Sequence, residues 1–234
     1  GRNSPGGRFW VAYQFEVRPG AATDFEVVNN DGSVYISTDG ASMMLDTRYE
    51  TRELGLFFQF DVQREQFIRA DVYNLKRNHE FSGYPVYWAG RISNEESLNY
   101  LKSIIDSPAP ELNRLADRAT FAIALHDDVR VALMLIELIR RPVAEPIRSR
   151  AIYWLGNTPE TVAKNGLFTD IIRNSQEGDE ARRSAMSALA MSRSAGALPL
   201  LQNLYETLTS REVRRPALNG IARNDNVDAA VSYL

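Results

Sequence analysis

The chain has 234 residues, 44% of them hydrophobic and 24% charged, with a formal net charge of −3. This is globular composition rather than disorder, and the acidic balance lacks the basic footprint of a dedicated nucleic-acid binder. Cysteine is absent, which excludes disulfides, thiolate nucleophiles and cysteine-ligated zinc, and no apolar run reaches the roughly 18–20 residues of a membrane-spanning helix.

Residues 1–7 read as a flexible leader. The chain opens on Gly1 rather than Met, as a processed or trimmed product would, through removal of a secretory signal or through cloning of a fragment. From Phe9 the pattern alternates. Phe9, Val11, Tyr13, Phe15 and Val17 share one face and Trp10, Ala12, Gln14, Glu16 and Arg18 the other, the period of a half-buried strand. Pro19-Gly20 stops it. Phe25–Val28 and Ser33–Ser37 flank Asn29-Asn30-Asp31-Gly32, residue types that tolerate the positive φ of a tight hairpin. Alternation returns at Leu54, Leu56, Phe58, Phe60 and Val62, and Phe67–Leu75 is rich in β-formers. Residues 8–84 are therefore expected to form a small antiparallel β domain, which must cover its apolar face and serves as an N-terminal cap on the helical region after it.

After Tyr84 the apolar period lengthens from 2 to 3.6. Ser93-Asn94-Glu95-Glu96 has the form of a capping box, followed by a stripe of Leu98, Leu101, Ile104 and Ile105 on a helix over 95–106. Further helices are expected near 112–125, 128–140, 146–156, 159–173, 179–191, 195–209 and 211–223, with a half-helix at Val227–Leu234. Thr158-Pro159, Gly178-Asp179 and Asn224-Asp225 punctuate them.

A signature of small and apolar residues returns along the chain at Pro85–Gly90, Ala119–Ala124, Ala151–Gly156, Ala185–Ala190 and Ala217–Ala222, in steps of 34, 32, 34 and 32 residues. Such steps fit one helical hairpin stacked on the next. The second helix of each pair begins Leu115-Ala116, Ile147-Arg148, Ala181-Arg182 and Val213-Arg214. This pattern resembles HEAT repeats, specifically the bacterial HEAT-like class also seen in phycobilisome-lyase-type proteins, over residues 85–234. The resemblance implies a right-handed α-solenoid whose second helices line a concave face, in an α+β chain. It also implies that Arg148, Arg182 and Arg214 pair with acidic side chains near inter-helix turns. A β segment joined to Tyr-Trp-x-Gly copies further looks like exported bacterial HEAT-repeat proteins, which implies a periplasmic or secreted location, with the cytoplasm as the alternative.

Positions two before and two after the shared alanine lie four apart on one helix face. They hold Asp117, Ser149, Arg183 and Arg215, and Phe121, Tyr153, Ser187 and Asn219. With Arg223 one turn on, Phe121, Tyr153, Arg183, Arg215, Asn219 and Arg223 form a candidate partner-binding strip, since exposed aromatics and arginines anchor protein interfaces. Phe121 and Tyr153 packed between repeats is the competing reading, and Trp154 reads as packing. Arginine outnumbers lysine 24 to 3; coding bias or a demand for bidentate contacts would each produce this.

His79 and His126 are the only histidines. Neither sits among sequence neighbours that would complete a metal site, so both read as surface or capping residues. Asn29-Asp31-Gly32 lacks the ligand spacing of a calcium loop. No glycine-rich phosphate loop and no nucleophile elbow occur. The expected function is a non-enzymatic scaffold that binds a protein or peptide on the concave face, with no cofactor, metal or nucleic acid. The alternatives are a HEAT-type enzyme (a tetrapyrrole lyase or a DNA-base glycosylase) and ligand binding by the β domain through Trp10, Tyr13, Tyr35 or Trp88.

Overall fold

The computed structural model describes residues 7–21, 25–28, 34–37, 52–107, 113–158, 162–192 and 196–222. Six strands precede eight helices: β1 Arg8–Gln14, β2 Phe25–Val28, β3 Val34–Ser37, β4 Leu54–Asp61, β5 Gln66–Asn74 and β6 Val86–Arg91, then α1 Asn94–Ile105, α2 Asn113–Leu125, α3 Arg130–Arg140, α4 Glu145–Gly156, α5 Val162–Arg173, α6 Asp179–Ala190, α7 Ala197–Thr207 and α8 Arg211–Ala222. The chain is α+β. It divides into two compact units, Gly1–Val131 and Ala132–Leu234. The leader, the Asn29–Gly32 turn and the half-helix at Val227–Leu234 lie outside the described residues.

In the first unit, a four-stranded sheet has the order β5-β4-β1-β6, and β2 pairs with β3 in a separate two-stranded sheet. The antiparallel pairings of β4 with β1 and β5 follow from the alternating pattern of these segments. The last strand differs from expectation. Pro85–Gly90 has the spacing of a first copy of the helical signature, but Val86–Arg91 is a strand that runs parallel to β1, with Val11 opposite Tyr87. The sheet is therefore mixed rather than antiparallel, and β-branched and aromatic side chains at Val86-Tyr87-Trp88 suit it.

Both sheet faces carry aromatic rows. On one, Phe58 and Phe67 meet Tyr100 of α1, with Phe58 and Tyr100 rings 5.2 Å apart and edge-on, while Tyr13 flanks Phe58 and Phe60 flanks Phe67. On the other, Trp10, Ala12 and Phe57 pack beneath Tyr73, Leu75, Phe81 and Tyr84. Helix α1 starts as its sequence dictates: Ser93 accepts from the Glu96 amide at 3.2 Å and Glu96 accepts from the Ser93 amide at 3.2 Å. It packs on α2, which lies against β5.

In the second unit α4 packs on α6 and α6 on α8, with α5 against α6 and α7 against α8. Small residues set the closest approaches. A Cβ on Gly156 would stand 2.7 Å from the Ala188 Cβ and 2.9 Å from its Cα, and a Cβ on Gly220 would stand 2.7 Å from both the Cα and Cβ of Ala190. Separations under 3 Å leave no room for a methyl, so glycine is required at both seams. The sixth residue of one copy meets the fourth residue of the next at each seam.

Candidate functional site

Because α4, α6 and α8 are consecutive neighbours, residues at equivalent positions of the signature come into a row on the second unit. Tyr153 on α4 is half-buried, its ring edge-on to Trp154 at 5.1 Å. Arg183 on α6 is exposed and paired with Glu180 one turn back. Arg215 and Asn219 on α8 are both exposed, and no ion pair of Arg215 is seen among the described residues. Ser149, which belongs to the same pattern, is buried and donates to Glu145 Oε1 at 3.2 Å. Trp154 is buried, as its place in the signature predicts. Phe121 sits on α2 in the first unit and is only 6% exposed, so it is a core side chain that offers no contact surface. Asp117 on the same helix is half-buried, and Arg223 lies outside the described residues.

The arginines of the repeat position do a different job. Arg148 Nε donates to the carbonyl of Ile139 in the last turn of α3 at 2.8 Å, and its two terminal nitrogens grip both oxygens of Glu177. Arg182 repeats this one hairpin later, donating from Nε to Ile172 O of α5 at 2.9 Å and from Nη1 to Asp179 at 3.1 Å. Arg214 lies over the Tyr205 ring at 5.1 Å instead. The first two satisfy carbonyls that a helix end leaves without an intrahelical partner. Lys164 on α5, which sequence reasoning passes over, is fully buried and donates to Thr158 O at 2.8 Å just past the end of α4. No lysine recurs at its position in the other helices, so it gives no periodic signal, unlike the arginines.

A cleft of about 660 Å³ opens beside the Arg148–Glu177 pair, with Val143, Leu167 and Ile171 as apolar lining and Arg140, Asp170 and Asn174 among its polar groups. Both signs of charge are represented, so no single small ion is favoured.

Comparison with protein-family models, curated proteins and solved structures finds no match. The chemistry of the site rests on the residues alone. Among the described residues no group of three or more His, Asp or Glu side chains converges as a metal site would require, and no helix is long and apolar enough to cross a membrane.

The first unit corrects two expectations. Trp10 and Tyr13 are buried, which leaves Trp88, 50% exposed, and Tyr87, 47% exposed, as the open aromatics of the sheet; the surroundings of Tyr35 lie outside the described residues. Of the surface or capping roles expected of His126, the surface one is overturned and the capping one is present at the end of α2: the ring is 1% exposed and stacked on Phe15 with ring centres 4.2 Å apart. Its Nδ1 lies 2.8 Å from Ala122 O and its Nε2 2.7 Å from Ser97 Oγ, which is 3.0 Å from the Tyr13 hydroxyl. Burial pushes His126 down to about 4, against smaller opposing effects from the Ala122 carbonyl and Asp128. Asp128 is itself drawn down to about 2, chiefly by its hydrogen bonds from Arg130. His79 is half-buried and caps Asn74 O through Nε2 at 2.8 Å.

Proposed function

We propose that the chain is a non-enzymatic protein-binding module whose helices form a HEAT-like α-solenoid, with a protein or peptide partner held on the face made by α4, α6 and α8. The observation that carries this reading is the row of second helices. Two signature positions four residues apart recur on three helices packed in succession, and between them they present Tyr153 on α4, Arg183 on α6 and Arg215 and Asn219 on α8. Arginine and tyrosine are the side chains that most often dominate interface energies. Further support comes from Arg148, Arg182 and Lys164, which are occupied with helix ends and so leave the row of Arg183 and Arg215 as a separate surface.

The test is affinity capture with the Arg183→Glu/Arg215→Glu double variant, whose fold is checked by circular dichroism and thermal unfolding. Capture by the double variant should fall at least tenfold below that of the wild type, since each lost charged contact at an interface costs about 1–3 kcal/mol. A folded double variant that retains its partner at wild-type strength would discard the proposal.

A further inference from the structure

The buried chain Tyr13–Ser97–His126 has a fixed direction. A carbonyl oxygen can only accept, so His126 Nδ1 carries the proton and donates to Ala122 O. Nε2 therefore offers its lone pair, and Ser97 donates to it. The Ser97 oxygen in turn accepts from the Tyr13 hydroxyl. Every polar atom of the chain is satisfied while His126 is neutral.

This chain sits under a strap, the stretch that continues β1. Phe15 stacks on the imidazole. The Glu16 amide donates to Asn94 Oδ1 at 3.0 Å, and the Asn94 amide group donates to Asp127 O at 2.9 Å. The Asp127 amide donates to Glu16 O at 2.9 Å, and the Arg18 amide to Leu125 O at 2.9 Å. Residues 15–18 are thus tied to the start of α1 and the end of α2 around one histidine.

We infer that this constellation is an acid-sensitive latch, in which protonation of His126 at Nε2 releases the strap of residues 15–18 from α1 and α2 while the sheet persists. A proton on Nε2 turns that atom into a donor toward Ser97 Oγ. The Ser97 oxygen then either accepts from both Nε2 and Tyr13 or passes its own hydrogen to the Tyr13 oxygen, and in each arrangement one hydroxyl hydrogen, that of Ser97 or of Tyr13, has no acceptor within the chain. Protonation thus places a charge and a stranded donor in a site closed to water, both of which opening relieves. The surrounding ionisable groups do not rescue the imidazolium. From the strap come Glu16, exposed, and Arg18, a buried cation held to about 10 by its burial. From α1 comes Glu95, exposed. From the turn after α2 come Asp127, exposed, and Asp128, which Arg130 already neutralises through bonds of 2.8 and 2.7 Å.

Amide hydrogen exchange on the full chain, followed by NMR from pH 7 to pH 5 and corrected for intrinsic rates, reads the latch directly. Opening at the Arg18 and Asp127 amides should rise about 20-fold over that interval, as linkage requires for an imidazole that regains its ordinary affinity for protons on opening. Amides of the β4–β5 ladder should change much less. The neutral variant His126→Gln should lose the rise. A rise that persists in His126→Gln, equal loss across the whole sheet, or a His126 ring titrating near 6.5 in the folded wild type would each overturn the latch. Should His126→Gln not fold, the ring titration and the amide exchange of the wild type decide alone.

Discussion

Arg148 serves three acceptors with one planar group: the Ile139 carbonyl and both oxygens of Glu177. Its side chain and that of Glu177 are 17% and 18% exposed, so water replaces it poorly. Arg148→Ala is expected to cost about 1–3 kcal/mol of unfolding free energy, measured by urea denaturation. Arg148→Lys should recover only part, because an ammonium cannot span the carboxylate and reach the carbonyl together. A loss below about 0.5 kcal/mol for the alanine variant would contradict the role. Acid weakens the site of His126 as it weakens that ion pair, but through burial of the ring rather than through loss of a partner charge. The ring's folded affinity for protons is depressed, to about 4, against 6.5 for a free imidazole. The stability tied to the neutral ring is therefore complete above pH 6.5 and drains away as pH falls to 4, about 3 kcal/mol in all. Urea midpoints of wild type should drop between pH 7 and pH 4.5 more than those of His126→Gln. The acidic pairing of Arg148 and Arg182 is legible in the sequence because these residues recur in phase with the repeat, whereas Arg214, at the same position, lies over Tyr205 instead. The role of His126 is not, because His-Asp-Asp between two helices looks exposed, and its burial is imposed by Phe15 and Ser97 from distant stretches.

At the scale of elements, glycines separate two kinds of helix position. Gly166 lies exposed in α5, and a methyl placed there would meet nothing within 4 Å, whereas Gly156 and Gly220 face the backbones of Ala188 and Ala190. Gly166→Ala should stabilise by about 0.5–1 kcal/mol through helix propensity alone. Gly156→Ala or Gly220→Ala should destabilise despite the same gain, since the seam must widen, a strain of about 1–3 kcal/mol. Thermal unfolding of the three variants gives the comparison, and a stabilised Gly156→Ala would show that the seam tolerates a methyl. Helix positions follow closely from the 3.6-residue period and from punctuation, and the capping box at Ser93 marks the start of α1 correctly. β6 escapes such reading because six residues of mixed small and aromatic type fit either period. Its pairing with β1 joins segments far apart in sequence, which no local pattern announces.

At the scale of the molecule, the change of period at Tyr84 is not a boundary between compact units. The first unit extends to Val131, because the sheet needs β6 along the edge of β1 and needs α1 over Phe58 and Phe67. A fragment ending at residue 84 should therefore fail to fold, giving poorly dispersed amide resonances and no cooperative melt; a cooperative melt would show that β1–β5 suffice. The sequence resolves the periodicities but not which layer closes which face, since that depends on contacts between segments of different period. The seams between α4, α6 and α8 carry a last consequence. Each joins one glycine to one alanine, Gly156 with Ala188 and Ala190 with Gly220. Helix α6 is alanine on both sides, so it is the shared tile against which both neighbours are cut. Lengthening by duplication would thus obey a grammar: a second copy of residues 159–192 placed after 192 would set alanine against alanine, and the newcomer would fit only once its counterpart of Ala188 became glycine.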